Sequence, residues 1–181
     1  VVIPGLRDHH PDHWQTHLAS KLAKTRTVCI AGLLGRGDLS CARRVEALQI
    51  TVECIPGPIV FVAHSAGVIA LAHWARQYSR AAIVGAVLAT PADLETPLPQ
   101  GYPSFQDLNA HGWLPMPRAK LPFASIVAAS SNDPLAPLGR VEGLARAWGS
   151  EIAHLGAVGH LNPGSGYGEW ADAEALVTRF D

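Results

Sequence analysis

The stretch Ile59-Val-Phe-Val-Ala-His-Ser-Ala-Gly-Val-Ile-Ala-Leu-Ala-His-Trp74 constrains the fold more than any other part of the chain. It opens behind the breakers Pro56, Gly57 and Pro58 as an apolar, β-branched run, which predicts a strand buried on both faces. After Gly67 the pattern turns to Val68, Ile69, Leu71, Ala72 and Ala75, rich in helix formers and apolar almost all round, which predicts a buried helix. The change of period falls on Ala63-His64-Ser65-Ala66-Gly67. A strand that passes directly into a helix through small residues must turn sharply, and the residue at the apex is held in a strained conformation with its side chain off the sheet edge. Here that residue is Ser65. The N–H of Ala66 would then stand at a helix N-terminus, aimed at any oxygen that becomes negative beside Ser65. The simpler alternative is a serine that only caps the helix.

The rest of the chain repeats the alternation. Val1 to Gly5 reads as a first strand, and Pro11 and Asp12 suit a helix start whose buried stripe is Trp14, Leu18 and Leu22. Thr27 to Ala31 reads as a second strand, and Leu39 to about Val52 as a helix. Further strands are predicted at Ile83–Thr90, Phe123–Ser130 and Glu151–Leu155. A helix through Leu138, Val141, Leu144, Ala145 and Trp148 ends at Gly149, and a last one runs from Trp170 to Phe180. Nearly all-apolar strands alternating with helices predict an α/β fold: a mostly parallel sheet of about six strands with helices on both faces. At 181 residues, 1–181 reads as a single domain. Residues 91–122 are proline-rich and without period, and form either a long loop packed flat or a small lid whose aromatics, Trp113 among them, line an apolar pocket.

Composition excludes several classes. A net charge of −1 offers no basic field for nucleic acid. Every apolar run is interrupted before it reaches the length of a bilayer span, and the chain opens on a strand-like run with no leader expected. Cys29, Cys41 and Cys54 are odd in number and widely spaced, which suggests free thiols in a reducing compartment, cytoplasmic by default. His9, His10, His13 and His17 beside Asp12 invite a metal reading, but Trp14 stands where H-E-x-x-H would need its glutamate, so no metal is expected. This stretch reads better as one rim of a substrate-binding mouth, with His13 or Trp14 facing it. Gly35-Arg36-Gly37 reads as a solvated turn.

In parallel sheets, function gathers in loops beyond the carboxyl ends of the strands. Asp133 lies just past the fifth predicted strand and His160 just past the sixth, on the same edge as Ser65. A neutral serine hydroxyl is a weak nucleophile, so an imidazole must take its proton and a carboxylate must orient that imidazole. Ser65, Asp133 and His160 are therefore the expected catalytic residues, in the chain order of the α/β-hydrolase triad. Asp93, also after a strand, is the rival acid. An oxyanion hole needs two donors: the Ala66 N–H and, from the turn after the first strand, the Leu6 N–H, with Arg7 as its competitor.

These residues resemble the small serine hydrolase family typified by retinoblastoma-binding protein 9 and its bacterial YdeN-type relatives, over nearly the whole chain. The likeness rests on Pro4-Gly5, Asp12-His13-Trp14-Gln15, Ala63-His64-Ser65-Ala66-Gly67 with His73-Trp74, Asp133, and above all the tail Gly159-His160-Leu161-Asn162 with Ser165-Gly166-Tyr167-Gly168-Glu169-Trp170. It implies a compact α/β-hydrolase fold, a Ser65–Asp133–His160 triad and no cofactor. Two departures stand out: Ala63 replaces the first glycine of the strict elbow, and no L-x-C-x-E pattern supports a retinoblastoma-type partner. The expected function is hydrolysis of a small or medium acyl ester through an acyl-enzyme. The alternative is a hydrolase-like binding module with an unproductive site.

Overall fold

The computed structural model describes residues 1–7, 10–32, 34–35, 37–78 and 82–181. His9 and Arg36, which entered the metal and turn readings, lie outside these residues. Five parallel strands form one sheet in the order β1 (Val2–Ile3), β2 (Ile59–His64), β3 (Ile83–Ala89), β4 (Ser125–Ala129) and β5 (Glu151–His154). The helices are α1 (Trp14–Leu22), α2 (Cys41–Glu53), α3 (Ala66–Gln77), α4 (Phe105–Ala110), α5 (Leu138–Trp148) and α6 (Asp172–Thr178).

The segment Thr27–Ala31 does not form a full strand. Ile30 makes one parallel bridge to Val2 on the outer edge of β1, with Val2 N–H donating to Cys29 O and Ala31 N–H to Val2 O. Its partner β1 is only two residues long, so the ladder has no second rung to extend along. The path is informative all the same. The chain leaves β1 toward that edge, then crosses back to lay β2 on β1's other side. The reversal falls between β1 and β2, where a doubly wound sheet opens a crevice at its carboxyl edge.

Side chains alternate across the sheet with a period of two. Phe61, Ala63, Ala86, Leu88, Val127 and Ala129 face a core completed by α2, α3 and α5. Val62, Val87, Ala89 and Ala128 face a second core with Trp14, Leu18 and Leu22 of α1 and Ala173 and Val177 of α6. The apolar circumference of α3 follows from its place: all but four of its twelve residues are buried. Gly67 allows that placement, since a Cβ there would lie 2.5 Å from Pro4 O and 2.6 Å from Ile3 O. Helix α3 thus rests directly on the end of β1, and the two halves of the crevice are drawn together. No helix among the described residues is long and apolar enough to cross a membrane.

Segment 91–122 carries more structure than its composition predicts. Ser104 and Asp107 form a reciprocal capping box that opens α4. Leu108, Trp113, Met116 and Leu121 anchor the segment in the α2–α3 core. A charged clasp fastens its start, where Arg140 of α5 donates to Asp93 at 2.7 and 3.1 Å and to Glu95 at 2.9 Å.

Candidate active site

Ser65 sits between β2 and α3 at φ 58° and ψ −130°, the left-handed side of conformational space that non-glycine residues seldom enter. Its N–H is tied to Ala89 O at 3.0 Å, so the end of β3 holds the turn. Although Ser65 occupies the N-cap position of α3, its side chain makes no capping bond. Its Oγ instead lies 2.8 Å from His160 Nε2. The hydroxyl therefore does not cap the helix, which was the simpler of the two readings of this serine. The close approach of Gly5 explains the glycine there: a Cβ would stand 3.0 Å from Ser65 Cβ.

The other ring nitrogen of His160, Nδ1, lies 2.8 Å from Asp133 Oδ2 and 3.0 Å from Oδ1. Asp133 Oδ1 also accepts the Leu135 N–H at 2.8 Å, which fixes the carboxylate in the loop after β4. Both Asp133 and His160 are buried, so the pair is shielded from bulk water. The rival acid, Asp93, is fully buried and occupied by Arg140, away from the ring.

Several residues to which the sequence assigned no role hold this arrangement. Asn132 Oδ1 accepts the Gly159 N–H at 2.7 Å and joins the loop after β4 to the loop of His160. Ser165 Oγ accepts the His160 N–H at 3.1 Å and is itself held by Asn162. Gln15, buried, donates to Ile3 O at 3.1 Å and Val62 O at 3.0 Å, pinning α1 across the β1–β2 reversal. Arg44 lies on the buried face of α2 and reaches the carbonyls of Gly5 and Leu6 at 3.5 and 3.4 Å. In a trans peptide the N–H points opposite to the C=O. Holding the Gly5 carbonyl on the Arg44 side therefore turns the Leu6 N–H the other way. A charge on an apolar helical stripe was the one available signal for Arg44.

A cleft of about 760 Å³ opens over Ser65. Leu39, Ala92, Leu94, Leu98 and Leu135 make an apolar wall, and Leu6, Ala66 and His160 border the serine. Arg7, His10 and His13 also line it. The Arg7 guanidinium lies 4.4 Å over the Tyr102 ring, which lines the cleft too. His13 caps α1, its Nδ1 accepting the Gln15 N–H at 3.2 Å, so the helix starts later than Pro11 and Asp12 suggested.

Two expected substrate-binding residues are corrected. Trp14 is buried and does not line the cleft: the helical stripe it shares with Leu18 and Leu22 turns it into the core, edge-on to Trp170 at 4.9 Å. Trp113 is also buried, and its Nε1 donates to Leu39 O at 2.7 Å, so it supports the cleft wall from behind. Large aromatics in this chain bury their area first and act on the cleft only through neighbours.

Among the titratable groups at the site, His64 is perturbed by its surroundings. Burial, reinforced by the neighbouring His160 and His13 rings, holds it well below the ordinary histidine value, so it is neutral. Burial likewise lowers His73. Among the described residues no three His, Cys, Asp or Glu side chains gather as metal ligands would.

A doubly wound sheet with a strained serine at the turn beside its reversal is the α/β-hydrolase architecture, and the solved structures that resemble the chain share it. One, described as a YdeN-like hydrolase from Pectobacterium atrosepticum, superposes with a TM-score of 0.78 at 25% identity, over 99% of this chain and 90% of that one. The ydeN gene product of B. subtilis gives 0.73 at 19% identity, covering 99% and 96%. Est1E from Butyrivibrio proteoclasticus shares the fold at 0.69 and 11% identity, covering 99% and 84%. No curated protein matches the chain. The chain belongs to the serine hydrolase family, whose model matches residues 1–179. The expected kinship with YdeN-type hydrolases is thereby borne out.

Proposed function

We propose that this serine hydrolase cleaves small or medium acyl esters through a covalent acyl-serine. The observation that carries the reading is the unbroken line from Ser65 Oγ to His160 Nε2, and from Nδ1 to Asp133, at 2.8 Å in each step. Ser65 Oγ attacks the carbonyl carbon while its proton passes to His160 Nε2. Asp133 keeps the ring in the Nδ1–H tautomer and stabilises the imidazolium that forms. The carbonyl oxygen becomes an oxyanion against the N–H groups of Ala66 and Leu6, a pair worth roughly 10²–10³-fold per donor. His160 then returns its proton to the leaving alkoxide, and the ester C–O bond breaks. Water repeats the sequence on the acyl-enzyme and frees Ser65.

The acyl chain is assigned to the wall of Leu39, Ala92, Leu94, Leu98 and Leu135. Segment 91–122 acts in this reading as a fixed wall rather than a moving lid, because its charged clasp holds its start and buried Leu108, Trp113, Met116 and Leu121 anchor the rest. His13, which lines the cleft, is assigned to the leaving-group side of the mouth. The triad needs no cofactor. The three unpaired cysteines suit a reducing compartment such as the cytoplasm. A non-catalytic module would call for a filled or blocked mouth, and Trp14, buried away from the cleft, does not fill it.

A panel of p-nitrophenyl esters from acetate to decanoate tests the reading. kcat/KM should rise with chain length, pass a maximum at medium length and fall. Absence of hydrolysis across the panel by folded protein would overturn it.

A further inference from the structure

His160 sits in a loop that regular structure does not hold. Gly159 and Leu161 on either side both adopt positive φ, 59° and 47°. Polar contacts from five side chains fix the residue between them. Its ring is tied to Ser65 and Asp133, its N–H to Ser165, and its carbonyl accepts from His64 Nε2 at 3.0 Å. Thr90 Oγ1 donates to the same carbonyl at a longer 3.4 Å.

His64 differs from the other partners in where it stands. It is the last residue of β2, adjacent to Ser65, and it is buried. Its ring lies between those of His13 and His160, at centroid distances of 4.7 and 4.9 Å. A carbonyl can only accept, so the His64 proton is on Nε2 and Nδ1 is bare. One side chain thereby joins the strand that ends in the nucleophile to the loop that carries the base.

We infer that His64 is a positioning residue that sets the Ser65–His160 distance by donating its Nε2–H to the His160 carbonyl. The inference rests on the proposed roles of Ser65 and His160 and goes beyond them. His64 never touches substrate. It acts by preventing the His160 loop from shifting relative to the turn, a displacement of about 1 Å being enough to cost roughly 10²-fold in rate.

Three variants decide the matter: His64→Leu keeps bulk and loses the donor, His64→Gln places an amide N–H near the original Nε2, and His64→Asn is polar but too short. The readouts are kcat and KM on p-nitrophenyl butyrate, and the downfield ¹H resonance of the His160 ring N–H that faces Asp133. For Leu we expect kcat lowered roughly 10²-fold with KM little changed, and for Gln a kcat within about tenfold of the parent. The resonance should persist in the parent and Gln and disappear or move in Leu. If Leu does not fold, Asn takes its place with the same expectation. A fully active Leu variant, or Leu and Gln equally impaired, overturns the inference, because packing alone would then account for His64. If the parent hydrolyses nothing, the resonance still decides: its loss in Leu with retention in Gln supports positioning while the enzymatic reading fails, and its retention in both overturns positioning.

Discussion

Ser65 and His160 approach to 2.8 Å, yet the regions that bring them there are built differently. On the serine side, position comes from the backbone. Strand β2 is paired along its length with β3 and at Val62 and Ala63 with β1, α3 is buried almost all round, and Gly67 lets the helix rest against β1. On the histidine side the chain from Gly156 to Ser165 has no strand, and single side chains do the holding: Asn132, Ser165 and His64 by hydrogen bonds, Leu161 by burial. A serine fixed by the core can change only if the fold changes. A histidine fixed by a few polar contacts can be displaced while the fold stays intact.

Substitutions that strike one side and spare the other sharpen this contrast. The largest effect is expected from Gly67→Val. Its added carbons meet the Pro4 and Ile3 carbonyls at distances that backbone cannot yield, so α3 cannot dock. Such overpacking costs about 1–3 kcal/mol or more, and the urea midpoint and activity should collapse together. A stable but inactive Gly67→Val protein would break the contrast. A smaller, selective effect is expected from Asn132→Ala, which removes the acceptor of the Gly159 N–H. Stability should drop by only about 1 kcal/mol while kcat falls on the order of 10-fold, read by denaturation and kinetics on the same sample. Equal proportional losses of stability and activity would show that this loop is part of the core after all.

The smallest effect is on pH dependence. His64 and His73 are held below the ordinary histidine value by burial, so the unfolded chain binds protons that the folded chain refuses. Stability contributed by the neutral rings is present above about pH 6.5 and is lost as pH falls below it, with a slope no steeper than about 1.4 kcal/mol per pH unit for each group. Urea midpoints measured from pH 7.5 to 5.5 should decline, and His64→Gln should flatten part of the decline. A midpoint that rises on acidification would contradict the burial of these rings.

Much of this was legible in the sequence because parallel strands buried on both faces are nearly continuous apolar runs. The helices through Leu48, Ile69 and Leu144 announce themselves by period. Helix α4 gives no periodic signal because it buries only Leu108, although the Ser104-x-x-Asp107 spacing is a readable start signal. Thr27–Ala31 looked like a strand, but pairing depends on the length of the neighbour, which no local pattern records. At the site, Ser65, Asp133 and His160 stood out because each follows a strand. Arg44, Asn132, Gln15 and His64 did not, since their work consists of contacts with residues distant in the chain. Trp14 and Trp113 were misread for the opposite reason: an aromatic side chain fits a pocket wall or a core equally well until its facing is known.

The most direct test of the account is labelling of the folded protein by a fluorophosphonate probe, with the adduct located by peptide mass spectrometry. The account predicts one adduct, on Ser65, absent in Ser65→Ala and slowed by a factor on the order of 10² or more in His160→Ala. Folded protein that stays unlabelled, or an adduct on another residue, would contradict it.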